Sequence, residues 1–346
     1  MSTRDLQEFL RRFATEDPLG LGPGVPWSAR RLEERRFSSI YVLSAPTHAD
    51  LVQRQAGAAE LILKQYHAAQ PERRQREFDD LQSVWTALGE TARVARPIAC
   101  WAAEGALVTA RVSGTPLGDL IRRATLRAAG PEDLAQSAAA CTAAGAWLRA
   151  FQTHAPPAMR QARPVHLHSP DAFVSYLDER LRILGDVHPR VEAALRNRLL
   201  AHAAVALHAL PPKVFSEVTW SHSDFGPHNV LAGRDGIHII DFELQPQHPC
   251  FDAAYFVEAL GHRAGPWVDP ARTRRLERAF LAGYGEPLDH TMFALLRLRH
   301  LVCSYVSEAR RGGIASLRGW PGLVAMRGRL RHVADVLSLR TRARAA

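Results

Sequence analysis

The sequence predicts an α+β fold in which a small β-sheet with one main helix precedes a larger, mostly helical part. Between about residues 30 and 112 the apolar residues mostly alternate, as in strands, and from residue 119 onward they recur at helical spacing. Strands followed by helices are typical of this class rather than of a doubly wound sheet. The chain has 346 residues, of which 47% are apolar and 23% charged, and this globular composition argues against a long disordered protein.

The first part of the chain shows strand and helix patterns separated by turn signals. We expect a short helix at 4–13, a Gly/Pro loop at 17–26, and strands at SSIYVLSA and AELILKQY, the second of which ends near Tyr66. The segment PERRQREFDDLQSVWTAL starts with Pro71 and has apolar residues at helical spacing, so it predicts the main helix. Two more strands, ARPIACWA and GALVTARV, lead to the turn cluster SGTPLG, which is suited to a hinge.

The second part of the chain is helical except for one insert at 211–242. The insert contains VTWSHSDFGPHNVL, a turn at GRDG and the apolar run IHII, and it predicts a hairpin. The predicted helices of this part are 119–129, 131–154, 170–185, 190–209, 252–261, 270–283, 290–311 and 321–339.

Composition also excludes several classes of protein. The four cysteines are far apart and match neither a disulfide scaffold nor a zinc module. The first residues, MSTRDLQEFLRRF, carry charges where a signal peptide needs an apolar stretch. No run of about 18 apolar residues is present, so we expect a cytoplasmic protein without a membrane span. The sequence does not predict the oligomeric state.

The net charge of +9 arises in the last quarter of the chain, because residues 263–346 hold 16 basic and 6 acidic side chains. This excess could favour an anionic partner or substrate, or it could belong to solvated helix faces and the Arg-rich tail. No nucleic-acid-binding motif is present, and aromatic residues are not interleaved with arginines. Both observations argue against a nucleic-acid partner.

Only two of the 44 Lys and Arg residues are lysines, Lys64 and Lys213. In such a chain, a position that stays lysine can require a compact point charge rather than a planar guanidinium. Lys64 ends the apolar run AELILK. It is therefore a candidate functional residue before any motif is considered.

The insert and its flanks contain the densest set of polar side chains: His222, Asp224, Asn229, Asp241 and Asp252, which lie within 31 residues. A Gly-Pro pair between Asp224 and Asn229 prevents a regular helix, so a loop can direct both side chains into one cleft. Asp241 follows an apolar strand, where a carboxylate can be held rigidly and still face a ligand. Asn and Asp oxygens, together with phosphate oxygens, are suitable ligands for Mg²⁺. Asp224 then remains to accept a proton.

The segments HSDFGPHNVL, IIDFE and FDAA resemble the phosphotransferase signature of the aminoglycoside phosphotransferase and choline kinase superfamily. Its pattern is His-x-Asp-x4-Asn, then an apolar strand that ends in Asp, then a further Asp, and each polar anchor has a counterpart here. The resemblance extends over about residues 30–300. It implies a bilobal protein-kinase-like fold with a small antiparallel-sheet N-lobe, which has one main helix, and a larger, mostly helical C-lobe.

The domains implied by this resemblance are an N-terminal extension at 1–29, a nucleotide-binding N-lobe at 30–112 and a helical C-lobe at 113–346. The C-lobe includes the catalytic loop at 221–243 and the basic C-terminal tail.

The resemblance also implies an ATP site in the N-lobe. Lys64 corresponds to the strand lysine that holds the α- and β-phosphates, and Glu77 corresponds to its partner on the next helix. The chain has no GxGxxG motif, so the phosphate loop is assigned to the turn with Ser38 and Ser39. Adenine is expected against the hinge backbone near Val112.

The remaining site residues follow from the same resemblance. Asp224 is expected to orient the acceptor hydroxyl and to take its proton, and Asn229 and Asp241 are expected to hold Mg²⁺. His222 and Asp252 are expected to brace the loop by hydrogen bonds.

Two positions depart from the superfamily pattern. Ser223 stands where Gly is usual, and His228 stands where Gly is frequent. Neither change removes a chemical group, but His228 can crowd the metal or contact a phosphate.

The implied function is Mg-ATP-dependent transfer of the γ-phosphoryl group to a hydroxyl of a small molecule, with ATP and Mg²⁺ as cofactors. We expect a neutral or anionic acceptor, such as a sugar, nucleoside or hydroxy acid, because a polycation would prefer an acidic pocket. In the superfamily the acceptor pocket includes the C-terminal helices, and here these helices are basic, with Arg310, Arg311, Arg318 and Arg327. Two alternatives remain, namely an aminoglycoside-modifying resistance kinase and a non-catalytic, nucleotide-binding pseudokinase.

Overall fold

Contacts between residues divide the chain into two compact units. The first comprises Met1–Gly114 and Leu231–Glu243, and the second comprises Thr115–Val230 and Leu244–Ala346. The predicted catalytic loop is therefore divided between the units after Val230. This computed structural model describes residues 3–22, 24–35, 37–68, 70–89, 93–155, 169–187, 193–261, 268–285, 289–310, 328–333 and 335.

The first unit is built on a five-stranded antiparallel sheet. Its strands are β1 (Ser28–Glu34), β2 (Ser38–Ser44), β3 (Leu61–Tyr66), β4 (Pro97–Trp101) and β5 (Ala106–Ala110). They lie in the order β1–β2–β3–β5–β4, and every neighbouring pair is antiparallel. Its helices are α1 (Thr3–Glu16), α2 (Ala49–Ala56) and α3 (Pro71–Leu88).

The N-terminal segment contributes to the core of this unit. Phe9, Leu10 and Phe13 of α1 are buried and belong to the same apolar cluster as Leu61 and Leu63 of β3. Because strand side chains alternate between faces, Ile62 and Lys64 lie on the opposite face of β3 from the two leucines. The core therefore fixes which face of the sheet carries Lys64.

Two elements of the first unit were not predicted. The strand β1, SARRLEE, is charged and mostly exposed, so it lacks the apolar alternation of a half-buried strand; charged side chains of this kind are common on edge strands. The helix α2 is only eight residues long, with Val52 and Ala56 as its buried residues, and so short an apolar pattern carries little signal.

The second unit is mostly helical. Its strands β7 and β10 form an antiparallel pair. The elements of this part, in chain order, are β6 (Thr115–Pro116), α4 (Leu117–Ala124), α5 (Pro131–Thr153), α6 (Pro170–Val187), α7 (Ala193–His208), β7 (Thr219–Ser221), β8 (Val230–Gly233), β9 (Gly236–Ile239), β10 (Gln245–Gln247), α8 (Cys250–Leu260), α9 (Pro270–Tyr284) and α10 (His290–Arg310). Of these, β9 and most of β8 belong to the first unit.

The predicted helices agree with the structure except at two places. The helix predicted at 119–129 is shorter in the structure and ends at Ala124, with Thr125 as its C-terminal cap. Of the helix predicted at 321–339, residues 328–333 and 335 are helical and the others lie outside the described residues. In the described part of the chain, no helix combines the length and apolarity needed to cross a membrane.

Close packing of α5 against α9 depends on a glycine. A Cβ atom at Gly283 would lie 2.0 Å from the carbonyl oxygen of Thr142, which is far inside van der Waals contact. Gly283 belongs to the segment FLAGYG. The close approach brings the buried rings of α5, Trp147 and Phe151, into the same region as Phe280 of α9.

We predict that α1 stabilises the first unit rather than forming a separate extension. Phe13→Ala removes a fully buried ring and should lower the free energy of unfolding by about 3–5 kcal/mol. Denaturant unfolding measures this, with Arg11→Ala on the exposed side of the same helix as the control. A loss below about 1 kcal/mol for Phe13→Ala would contradict the assignment of α1 to the core.

Candidate active site

The first group of candidate residues surrounds Lys64 in the first unit. Its ammonium lies 3.0 Å from Oε1 of Glu77 on α3 and 2.8 Å from Oδ1 of Asp241, just after β9. The side chains of Lys64 and Glu77 are only 16% and 13% exposed. We call Lys64, Glu77 and Asp241 the lysine cluster. The structure thus brings together three residues that the sequence separates by up to 177 positions.

The neighbouring carboxylates determine the protonation state of Lys64. Burial disfavours the charged ammonium, but the nearby carboxylates of Asp241 and Glu77 outweigh it, and the pKa of Lys64 is raised above its ordinary value. Lys64 is therefore a permanent cation at neutral pH. Glu77 also accepts hydrogen bonds from the hydroxyl of Tyr66 and from Nη1 of Arg74. These contacts fix the glutamate, which in turn fixes the lysine.

Asp241 lies in a strained part of the backbone. Its φ is +61°, in the left-handed region, which Asp tolerates better than most residues. The strand β9 is anchored beside it by the hydrogen bond from Ile239 N to Arg93 O, at 2.7 Å. The second carboxylate oxygen of Asp241, Oδ2, accepts from Nη1 of Arg35 at 3.0 Å. Both oxygens of this carboxylate therefore contact a cation.

The other residues predicted to bind nucleotide, Ser38, Ser39 and Val112, are not bonded to the lysine cluster by any described contact. Ser38 and Ser39 begin β2 and are buried. The hydroxyl of Ser39 donates to the carboxylate of Glu34, at 3.0 and 2.9 Å from its two oxygens, so it is already used within the hairpin. Val112 follows β5 and is half-buried. Ser38, Ser39 and Val112 thus make no hydrogen bond or ion pair to the lysine cluster among the described contacts.

The second group of candidate residues surrounds Asp224, in the second unit. Asn229 Nδ2 lies 3.1 Å from Oδ2 of Asp224 and 3.0 Å from its main-chain oxygen. The hydroxyl of Tyr255 donates to Oδ1 at 2.7 Å, and Nε2 of His228 lies 3.3 Å from Oδ2. We call Asp224, Asn229, His228 and Tyr255 the aspartate cluster.

The carboxyl group of Asp224 is ionised at neutral pH. Burial acts to raise its pKa, but the hydrogen bond and charge of His228 and the hydrogen bond from Tyr255 outweigh burial and lower the pKa below its ordinary value. The next residue, Phe225, is fully buried between the rings of Trp147 and Phe256, at 5.5 and 5.6 Å. This anchor holds the loop while the adjacent carboxylate remains half-exposed.

Asp252, in the first turn of α8, holds the backbone of the same loop. It is completely buried and accepts hydrogen bonds from the main-chain nitrogens of His222 and Ser223 and from the hydroxyl of Ser221. Burial raises the pKa of Asp252 to about 7, although these three donors favour the ionised form. His222 is also completely buried, and its ring contacts that of Phe225 edge-on at 5.8 Å.

Sequence reasoning missed Tyr255 and Arg35. Tyr255 lies three residues after Asp252 on α8, and residues three apart share a helix face, so this spacing could have indicated it. Arg35 is one of several arginines in the charged run ARRLEERRF, and no pattern separates it from its neighbours.

Comparison with known proteins gives both a family and a fold. Residues 41–294 match the phosphotransferase enzyme family. No curated protein sequence matches the chain.

Solved structures of small-molecule kinases share the fold. The choline kinase of Cryptosporidium parvum Iowa II has a TM-score of 0.55 at 12% identity, and the match covers 98% of this chain and 96% of that one. A spectinomycin phosphotransferase in complex with ADP and spectinomycin has a TM-score of 0.58 at 14% identity, with coverages of 98% and 99%. A glucosamine kinase in complex with glucosamine, ADP and inorganic phosphate has a TM-score of 0.52 at 15% identity, with coverages of 93% and 95%. The predicted protein-kinase-like fold is confirmed.

We predict that Ser223 is a strained position. Its φ is +66°, where a side chain costs about 1–2 kcal/mol, and the superfamily pattern has Gly there. Ser223→Gly should therefore raise the free energy of unfolding by about 1 kcal/mol, because the gain exceeds the entropic cost of glycine. Denaturant unfolding measures the change.

The control for this substitution is Ser83→Gly at an exposed position inside α3. Glycine there should lower stability by about 0.5–1 kcal/mol, the opposite sign. Destabilisation of similar size in both variants would show that the left-handed backbone at Ser223 carries no strain.

Proposed function

Because the chain belongs to the phosphotransferase enzyme family, we propose that it transfers the γ-phosphoryl group of Mg-ATP to a hydroxyl group of a small molecule. The observation that carries the proposal is the lysine cluster. Lys64, one of only two lysines in the chain, is buried and held by Glu77 and Asp241. A rigid, permanent cation of this kind is suited to the α- and β-phosphates of a nucleotide.

We also propose Asp241 and Asn229 as ligands of Mg²⁺, because their oxygen atoms are of the kind that this ion prefers. Asp241 supplies carboxylate oxygens, and Asn229 donates through its amide nitrogen to Asp224, so its amide oxygen is the atom suited to a cation. Among the described residues, no group of three or more His, Cys, Asp or Glu side chains is arranged to hold a metal ion by itself. Mg²⁺ is commonly held by one or two protein oxygens together with phosphates and water, which agrees with this small set.

Asp224 is the proposed base. Its lowered pKa keeps it ionised, and its carboxylate is half-exposed while Phe225 anchors the backbone. It can accept a hydrogen bond from the acceptor hydroxyl, orient it and take its proton as the new O–P bond forms, while the bond between the γ-phosphorus and the β–γ bridging oxygen breaks and ADP leaves. Bound Mg²⁺ would supply charge neutralisation on the phosphates. Tyr255 and His228 would hold the carboxylate in position.

The remaining nucleotide contacts are also proposals. The turn before Ser38 and Ser39 would approach the phosphates through its main chain, since the Ser39 hydroxyl is bonded to Glu34. The backbone near Val112 would contact adenine. His222 and Asp252 would act indirectly, because their contacts are with the loop itself.

The identity of the acceptor separates two candidate functions. We propose a neutral or anionic acceptor because the last quarter of the chain is basic, with 16 basic and 6 acidic side chains at 263–346. Arg310 is exposed at the end of α10, and Arg311, Arg318 and Arg327 lie outside the described residues. The named ligands of the spectinomycin phosphotransferase and the glucosamine kinase favour an amine-bearing acceptor instead.

We predict that Asp224→Asn lowers the turnover number by about 10²–10⁴-fold and leaves ATP binding intact, because only the proton acceptor is lost. ADP release over a panel of alcohols measures turnover, and calorimetry measures binding. Asp171→Asn, at an exposed position of α6, is the control. Turnover of Asp224→Asn within threefold of the unaltered protein would contradict the mechanism. ATP binding without turnover on any acceptor would favour the pseudokinase.

We predict that sugars, nucleosides and hydroxy acids give larger kcat/KM values than aminoglycosides. The excess of basic side chains in the last quarter of the chain would repel a polycation, so a polycation should bind weakly. The same ADP-release assay, run at equal ionic strength for every acceptor, measures the ratio. A higher kcat/KM for kanamycin-like amines would instead support the aminoglycoside-modifying kinase.

A further inference from the structure

The turn between β1 and β2 carries a cation that contacts Asp241. The hydrogen bond from Arg35 N to Ser38 O, at 2.8 Å, closes this turn. Because the hydroxyl of Ser39 is bonded to Glu34, it does not face the lysine cluster. Among the described side chains of the turn, Arg35 is the one that bonds to Asp241.

The guanidinium of Arg35 joins two carboxylates. Nη1 donates to Oδ2 of Asp241 at 3.0 Å, and Nε donates to Oε2 of Glu33 at 2.9 Å. Nζ of Lys64 donates to the other oxygen of Asp241, Oδ1, at 2.8 Å. A single carboxylate thus has two cationic partners, one from β3 and one from the turn after β1.

The two cations differ in how firmly they are held. Lys64 is 16% exposed and is also fixed by Glu77, whereas the Arg35 side chain is 40% exposed. Because the side chain of Arg35 is 40% exposed and that of Asp241 is 27% exposed, water partly screens this ion pair, and exchanging it costs less than breaking the buried pair of Lys64 and Glu77. A metal ion at Asp241 would be a third cation there and would repel the guanidinium, while a phosphate would attract the planar set of N–H donors of Arg35.

We propose that Arg35 is a nucleotide-binding residue that exchanges its bond to Asp241 for a bond to a phosphate of the bound nucleotide. The proposal rests on the function proposed above. It adds a side-chain contact with the phosphates to the main-chain contacts proposed for the same turn, which stands where other kinases have a glycine-rich loop. Glu33 would keep the guanidinium near the turn during the exchange, because its bond uses a different nitrogen.

Calorimetric titration with Mg-ADP and with adenosine tests this assignment, because adenosine lacks phosphates. Arg35→Ala should weaken Mg-ADP binding about tenfold, which corresponds to about 1.4 kcal/mol, and should leave adenosine binding unchanged. The matched control is Arg31→Ala, which removes another exposed, ion-paired arginine from the same hairpin, one that is bonded to Glu34. It should change neither affinity.

Three results of these titrations would contradict the role of Arg35. Equal Mg-ADP affinity in Arg35→Ala and the unaltered protein would overturn the role of Arg35 and leave the proposed function standing. An equal loss for adenosine and Mg-ADP would also overturn it, since the substitution would then act on the fold and not on phosphate. The absence of Mg-ADP binding by the unaltered protein would overturn the proposed function together with this inference.

Discussion

The ion pairs of Lys64 with Glu77 and Asp241 are the interaction on which the site in the first unit depends. The alternation of β3 places Leu61 and Leu63 in the core and the lysine on the opposite face. A largely buried cation is tolerated only with partners, and the partners come from α3 and from the residue after β9. Without the lysine, Glu77 would keep Arg74 and Asp241 would keep Arg35, but the link between the two carboxylates would be lost, so this one side chain connects three elements.

In the second unit, the loop that leads to Asp224 is held by a buried carboxyl group, that of Asp252, rather than by a buried cation. The carboxylate of Asp252 receives two main-chain N–H groups and one hydroxyl, and these donors hold the loop that leads to Asp224. Burial opposes the charge on Asp252, and the hydrogen bonds compensate for the lost water. Phe225, packed between aromatic rings, fixes the chain on the other side of Asp224. Asp224 can therefore be rigid and still accessible.

Much of this arrangement could be predicted from the sequence, and the exceptions have physical causes. The scarcity of lysine indicated Lys64. The spacing of polar residues indicated Asp224, Asn229 and Asp241, because these three lie in one short segment and their pattern can be recognised without the fold. The strand β1 was not predicted, since an exposed, charged edge strand has no apolar alternation. Arg35 could not be predicted because its partner is 206 residues away and neighbouring arginines look the same in the sequence. The fold decides which arginine reaches the carboxylate.

Backbone strain coincides with the residues proposed for chemistry. Ser223, next to the proposed base, and Asp241, a proposed metal ligand, both have φ in the left-handed region. Such conformations persist only where surrounding contacts outweigh their cost. At Ser223 the main-chain nitrogen donates to Oδ1 of Asp252, and at Asp241 the carboxylate accepts from Lys64 and Arg35. The cations at Asp241 therefore compensate for both charge and strain, and a ligand that replaces Arg35 must provide positive charge at the same oxygen, as a metal ion does.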